Sequence, residues 1–204
     1  MKHPFKAGFT LIELLTVISV IAVLAGLILN VAGYVQKKGA RSRAQSEIKA
    51  IESACENYKA DNGTYPIDFN GSTSGLYTNA LISSTSSASV NYDPTSSAYQ
   101  NACAVLYQAI TGDGNTLLTG SSTASTGKWA STGKCYMELK PSQTGSNSSG
   151  TYYIQDPFGY SYGYSTIQAT SGTNGYNPTF DLWSTAGTIT AATSGTQVKW
   201  IANW

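Results

Sequence analysis

Apolar residues fill the chain almost without a break from Phe9 to about Val35, and a single acid, Glu13, interrupts them. Leu14 to Leu29 carries no charge at all. With its flanks this run is long enough to cross a hydrocarbon core, which takes ~20 helical residues. An ionisable group inside such a run is expensive and marks a function. Behind the run the pattern changes. Ala44, Ile48, Ile51, Cys55 and Tyr58 recur at steps of three and four, the stripe of a helix that buries one face. Arg43 and Glu47 stand four apart and are placed to support each other on the wet face. Asp61-Asn62-Gly63 closes the segment, with Gly63 as a C-terminal stop and Pro66 beyond it. The pattern predicts one helix from about Phe9 to about Ala60, apolar all round in its first half and amphipathic in its second.

The remainder alternates short apolar segments with Ser-, Thr- and Gly-rich ones. Asp93-Pro94 reads as a helix N-cap followed by a first-turn proline. Tyr99, Ala102, Cys103, Leu106 and Ile110 then give a second short amphipathic helix, closed by Gly112. Cys135 to Leu139 and Thr151 to Ile154 read as strands; Ser83 to Ser89, Gly120 to Gly133 and Ser142 to Gly150 read as loops. Near the end, Tyr160, Tyr162, Tyr164, Phe180, Leu182, Trp200 and Ile201 suit a small antiparallel sheet with one face on the Ile48/Ile51/Cys55/Tyr58 stripe.

Composition narrows the chemistry. Of 204 residues only 11% are charged and the formal net charge is +1, which gives no electrostatic case for nucleic acid. The aromatic residues could form a stacking surface for bases or sugars, but sheet packing explains them more simply. The one histidine, His3, precedes the apolar run, so the rest of the chain has no imidazole for acid–base work or metal binding. No serine–lysine motif points to a nucleophile. Asn62-Gly63-Thr64, Asn70-Gly71-Ser72 and Asn147-Ser148-Ser149 match the N-glycosylation pattern, which arises readily by chance in so Ser/Thr-rich a chain. The cysteines, Cys55, Cys103 and Cys135, lack zinc-ligand spacing. Cys55 and Cys103 fall on apolar stripes and suit buried thiols; a Cys103–Cys135 bridge is the disulfide expected if one forms, tying down the middle of the chain.

The octet Gly8-Phe9-Thr10-Leu11-Ile12-Glu13-Leu14-Leu15, behind a leader with Lys2 and Lys6, resembles the processing site of type IV pilins and type II secretion pseudopilins. Tyr58-Lys59-Ala60-Asp61-Asn62-Gly63-Thr64-Tyr65-Pro66 resembles the helix end of the G-type major pseudopilin. So do Asp156-Pro157-Phe158-Gly159-Tyr160-Ser161-Tyr162, Phe180 to Ser184 and Ile201 to Trp204 for its turn and later strands. Many family members carry a proline where this chain has Asn30. The resemblance covers Met1 to Pro66 well and Asp156 to Trp204 moderately.

The resemblance implies an α+β, pilin-like fold, a long helix packed on a small antiparallel sheet. It divides the chain into a cleaved leader (1–8), a transmembrane and filament-core helix (9–35) and a periplasmic or extracellular head (36–204). Within the head, helix runs to about residue 60, 67–153 is variable and 154–204 forms the sheet. A membrane-bound prepilin peptidase would cut between Gly8 and Phe9 and methylate the amine of Phe9. Glu13, about 6 Å up the helix from Phe9 at ~1.5 Å per residue, would then pair with a neighbour's amine during filament assembly. The alternatives for Glu13 are snorkelling to the nearby interface or protonation. The implied function is structural and not enzymatic: a subunit of a type II secretion pseudopilus. The alternatives are a type IV pilin of a surface fibre and a membrane-anchored binding module that does not polymerise. Its partners would be further copies, the inner-membrane assembly platform and minor pseudopilins. Lys37, Lys38, Arg41 and Arg43 follow the span and outnumber Lys2 and Lys6, so charge alone does not set orientation. The resemblance places the N-terminus in the cytoplasm and the head outside the bacterial inner membrane. G-type pseudopilins typically hold calcium in the loop before the last strand. This chain has no Asp or Glu after Asp181, so calcium is expected to be lost or very weak, with Trp183, Trp200 and Trp204 packing in its place.

Overall fold

A computed structural model describes residues 8–66, 93–112, 134–148, 150–166, 168–169, 176–189 and 200–204. It divides into two compact units, Met1–Ala40 and Arg41–Trp204. One helix, α1 (Leu11–Asn62), continues through the boundary. In the first unit the large apolar side chains from Leu11 to Ile28, and Tyr34 and Val35, are all exposed. By length and composition this helix can cross a membrane.

The second unit is α+β. Its elements are the rest of α1, then α2 (Ser97–Thr111), β1 (Thr144–Ser146), β2 (Tyr152–Ile154), β3 (Gly163–Ser165), β4 (Asp181–Ser184) and β5 (Ile201–Ala202). β1 and β2 form an antiparallel pair, and β3, β4 and β5 an antiparallel sheet in that order. The expected stripe is the core. Ala44, Ile48, Ile51, Ala54 and Cys55 pack with Leu106 and Ile110 of α2, with Ile154, and with Tyr162, Tyr164, Leu182 and Ile201 from the sheet. All four residues of β4 are buried. Leu182 faces that core, whereas Trp183 packs with Tyr99 and Ala102 of α2 in a second cluster. Gly163 lies opposite Trp183 in the β3–β4 register. A Cβ at Gly163 would come within 2.1 Å of the indole, so only glycine lets that ring lie across the strand.

Three local expectations are corrected. α2 is capped by Ser96, whose hydroxyl accepts from the Tyr99 N–H (3.4 Å). Asp93 instead builds the preceding turn, accepting from the Thr95 N–H (2.9 Å) and hydroxyl (2.6 Å). Cys135 to Leu139 is not a strand: Tyr136 and Met137 both donate to the carbonyl of Ile110 at the end of α2, which offers no ladder to extend. Ser142 to Gly150 is not simply a loop, because it contains β1, and Asn147 turns the chain back by accepting from the Thr151 N–H (2.9 Å). The stretches 83–89 and 120–133 lie outside the described residues.

Two side-chain pairings are corrected as well. Glu47 accepts a hydrogen bond from the Tyr162 hydroxyl (2.7 Å) rather than pairing with Arg43. Cys103 and Cys135 do not pair, and all three cysteines are free thiols. Cys103 is fully buried and donates to the Ile154 carbonyl (3.5 Å), while Cys135 is exposed. Burial pushes the Cys103 thiol up to about 11, so it stays protonated and inert.

The turn expected at Asp156-Pro157-Phe158-Gly159 is present and organised by its aspartate. Asp156 Oδ1 accepts from the N–H groups of Phe158 (3.0 Å) and Tyr160 (2.9 Å), and Oδ2 accepts from the buried Ser184 hydroxyl of β4. Ser184 in turn accepts from the Ala186 N–H (3.0 Å), so one carboxylate ties two turns together. Burial raises the Asp156 carboxyl above its ordinary range, with the hydrogen bonds opposing the rise. The sign follows: the folded state favours the protonated acid, so the contribution of Asp156 is greatest at low pH and is lost as pH rises through the raised value. Thermal melts of the full chain in detergent are therefore expected to show Asp156→Asn gaining on the wild type as pH rises from the ordinary aspartate range toward neutrality. Asp156→Ala, which strands two N–H groups, is expected to cost about 2–3 kcal/mol at low pH and less as pH rises through the raised value.

Candidate functional site

The first helical turn explains why α1 starts where it does. Thr10 is its N-cap and Glu13 its third residue, a reciprocal capping box. Glu13 Oε2 accepts from the Thr10 N–H (2.8 Å) and the Thr10 hydroxyl (2.7 Å), and the Glu13 N–H donates to Thr10 Oγ1 (3.3 Å). These contacts use one carboxylate oxygen, and Oε1 has no partner among the described residues. Further along, Thr16 and Ser19 turn their hydroxyls back onto the carbonyls of Glu13 (2.9 Å) and Thr16 (2.8 Å). Both polar groups are thus satisfied by the helix itself and leave it apolar to its surroundings. The T-x-x-E spacing ahead of an apolar run signals this box in the sequence, yet the sequence reading assigns Thr10 no role of its own.

Gly8 and Phe9 precede the helix in non-helical backbone, and Phe9 is 85% exposed. Among the described residues, a Cβ placed on Gly8 would meet nothing within 4 Å. The described residues therefore do not require glycine at position 8. The bond between Gly8 and Phe9 is accessible, and Phe9 lies two residues before the first helical residue, Leu11. The other sequence-predicted positions, Cys103 and Cys135, lie in the second unit and do not form a site.

The loop after β4 is held by its own hydrogen bonds. Ser184 is engaged with Asp156, and the Thr188 N–H closes a tight turn on the Thr185 carbonyl (3.1 Å) over Ala186 and Gly187, both at positive φ. The Asp181 carboxylate is committed to the N–H groups of Tyr176 (3.1 Å) and Asn177 (2.8 Å). Trp183 stacks on Trp200 (5.7 Å between centroids) and meets Trp204 edge-on (5.9 Å). Among the described residues, no three His, Cys, Asp or Glu side chains come together.

Residues 4–29 match the prokaryotic N-terminal methylation motif. The chain is also similar to the type II secretion system core protein G of several bacteria. It is 40% identical to that of Klebsiella michiganensis over 67 residues, 32% of this chain and 46% of the relative. It is 45% identical to that of Pectobacterium carotovorum over 62 residues, 30% of this chain and 39% of the relative. For Escherichia coli the figures are 44% over 62 residues, 30% of this chain and 42% of the relative. The matched segment thus spans less than half the length of these relatives. No solved structure is a significant match. The segment that matches the N-terminal methylation motif is, in this chain, an exposed apolar helix opened by a Thr–Glu capping box behind an accessible glycine. Beyond that motif, the similarity extends over 62–67 residues to type II secretion system core protein G.

Processing is testable directly. Intact mass spectrometry of protein made in cells that hold the peptidase is expected to show a chain starting at N-methyl-Phe9. A Gly8→Val variant is expected to stay uncut with its melting temperature unchanged, because none of the described residues touches that position.

Proposed function

We propose that the chain is a structural subunit of a type II secretion pseudopilus and not an enzyme. Prepilin peptidase cuts it after Gly8, the inner-membrane assembly platform takes it up, and it polymerises with further copies beside minor pseudopilins. Before assembly the apolar segment from Phe9 onward spans the inner membrane, with the leader in the cytoplasm and the head in the periplasm. The observation that carries this reading is the carboxylate of Glu13, fixed at the mouth of an exposed apolar helix with one oxygen uncommitted, in a chain similar to core protein G. Thr10 holds the carboxylate in place through Oε2, and Oε1 can receive the methylated amine of a neighbour's Phe9. In a filament core without water an unpaired carboxylate is costly, and breaking a buried pair costs ~3–5 kcal/mol. That penalty fixes axial register, which apolar packing alone leaves loose.

Two variants separate the charge from the cap. Glu13→Val removes both, whereas Glu13→Gln keeps an acceptor at the third helical position and so keeps the capping box. Both are expected to insert, to be cut at Gly8 and to fold their heads normally, yet to form no filaments by electron microscopy. Normal filaments from Glu13→Val subunits would sink the assembly role. If Glu13→Gln assembled while Glu13→Val did not, the cap and not the charge would be the determinant.

The loop after β4 is read as working without calcium. The Asp156–Ser184–Ala186 hydrogen bonds and the tryptophan packing supply what an ion would otherwise supply. Millimolar calcium is expected to leave the melting temperature of the full chain unchanged; a clear rise would contradict this.

A further inference from the structure

Asn62 is the last residue of α1 and Gly63 follows it. An asparagine before a glycine carries chemistry of its own. The glycine nitrogen can attack the side-chain carbonyl carbon of the asparagine, because no Cβ crowds its approach. Asparagine counts among the thermolabile residues of proteins. Both Asn62 and Gly63 are exposed to water.

The structure keeps the two reacting groups engaged elsewhere. Asn62 Nδ2 donates to the Tyr58 carbonyl (2.9 Å) and to the Tyr136 hydroxyl (3.1 Å). A side chain turned back along the helix leans away from the nitrogen that follows it. The Gly63 N–H donates to the Lys59 carbonyl (2.7 Å). Attack needs the nitrogen and carbon aligned at about 3–3.5 Å, which these bonds oppose. Tyr136 is the partner from outside α1, seventy-four residues along the chain. It is itself held in place. Its backbone N–H bonds the Ile110 carbonyl, its ring meets Tyr58 edge-on (5.5 Å between centroids), and Lys134 lies over the ring (5.1 Å) while pairing with Asp61.

We propose that Asn62-Gly63 is a site of spontaneous deamidation that Tyr136 holds closed. When the bonds at the end of α1 open, the Gly63 nitrogen gives its proton to a solvent base and bonds to Asn62 Cγ. The Cγ–Nδ2 bond breaks, and Nδ2 takes a proton from solvent and leaves as ammonia. Water then opens the five-membered imide at either carbonyl, leaving an aspartyl or isoaspartyl linkage at position 62. The new carboxylate has no N–H to give to Tyr58 or Tyr136. It also adds a second negative charge, beside Asp61, at the negative end of the helix dipole. The reaction therefore loosens the end of α1 from the segment around Tyr136.

The test incubates the full chain in detergent at mildly alkaline pH. Peptide mapping by mass spectrometry then separates the asparaginyl, aspartyl and isoaspartyl forms of position 62. A synthetic peptide, Tyr58–Pro66, is the unrestrained reference. Asn62 is expected to react at least about tenfold more slowly in the chain than in the peptide, as several hydrogen bonds must open first. Tyr136→Phe keeps the ring and removes the acceptor, and is expected to raise the rate about fivefold, the worth of one hydrogen bond. Lys134→Met, which loosens Tyr136 without touching its hydroxyl, is expected to raise it about twofold, as for an exposed ion pair. Circular dichroism checks each fold, and Lys134→Met decides the matter if Tyr136→Phe does not fold. A chain that reacts as fast as the peptide would overturn the assignment. So would a slow chain in which the folded Tyr136 variant is no faster, since α1 alone would then give the protection.

Discussion

The head depends on one helix face. Strands of two to four residues cannot hold themselves together as an isolated sheet. Here β3, β4 and β5 are ordered because Tyr162, Tyr164, Leu182 and Ile201 bury themselves on the Ala44, Ile48, Ile51 and Cys55 stripe of α1, with α2 completing the enclosure. Tertiary burial, more than strand propensity, supplies the driving force. Polar bonds then set direction. The Tyr162 hydroxyl reaches Glu47, and the Tyr164 hydroxyl reaches the Pro66 carbonyl (2.8 Å), tying the sheet to α1 and to the segment that follows it.

The same helix meets a different problem at its other end. An all-round apolar helix has no intrinsic start, because every side chain is as content one turn earlier or later. Thr10 and Glu13 supply the start by satisfying orphan backbone groups. One acid therefore shapes local structure through one carboxylate oxygen and leaves the other uncommitted among the described residues, a division that charge arguments alone do not reveal.

Periodicity made both helices legible, because burial on one face imposes it. It failed at edges, where single hydrogen bonds decide. Asp93-Pro94 carries a strong cap signature, but the Asx turn it forms hands the capping to Ser96. Cys135 to Leu139 alternates like a strand, yet the acceptor that reaches it is a helix-end carbonyl. The β1–β2 pair hides in polar sequence because its strands are only three residues long. Glu13 was legible as an anomaly of charge, whereas Thr10 looks like an ordinary polar residue until its spacing to Glu13 is considered. Cysteine pairing could not be read, because the orientation of Cys103 is set by where Ile154 lies, fifty-one residues away.

Gly163 has a reach that its size conceals. The indole of Trp183 occupies the space its side chain would take, Trp200 stacks on that indole, and Trp204 leans against it. The final residues of the chain are therefore positioned at second hand, through a ring seated on a strand they do not belong to. A lesion at position 163 would be felt first in the tail, and a defect mapped to the tail can have its origin forty residues upstream.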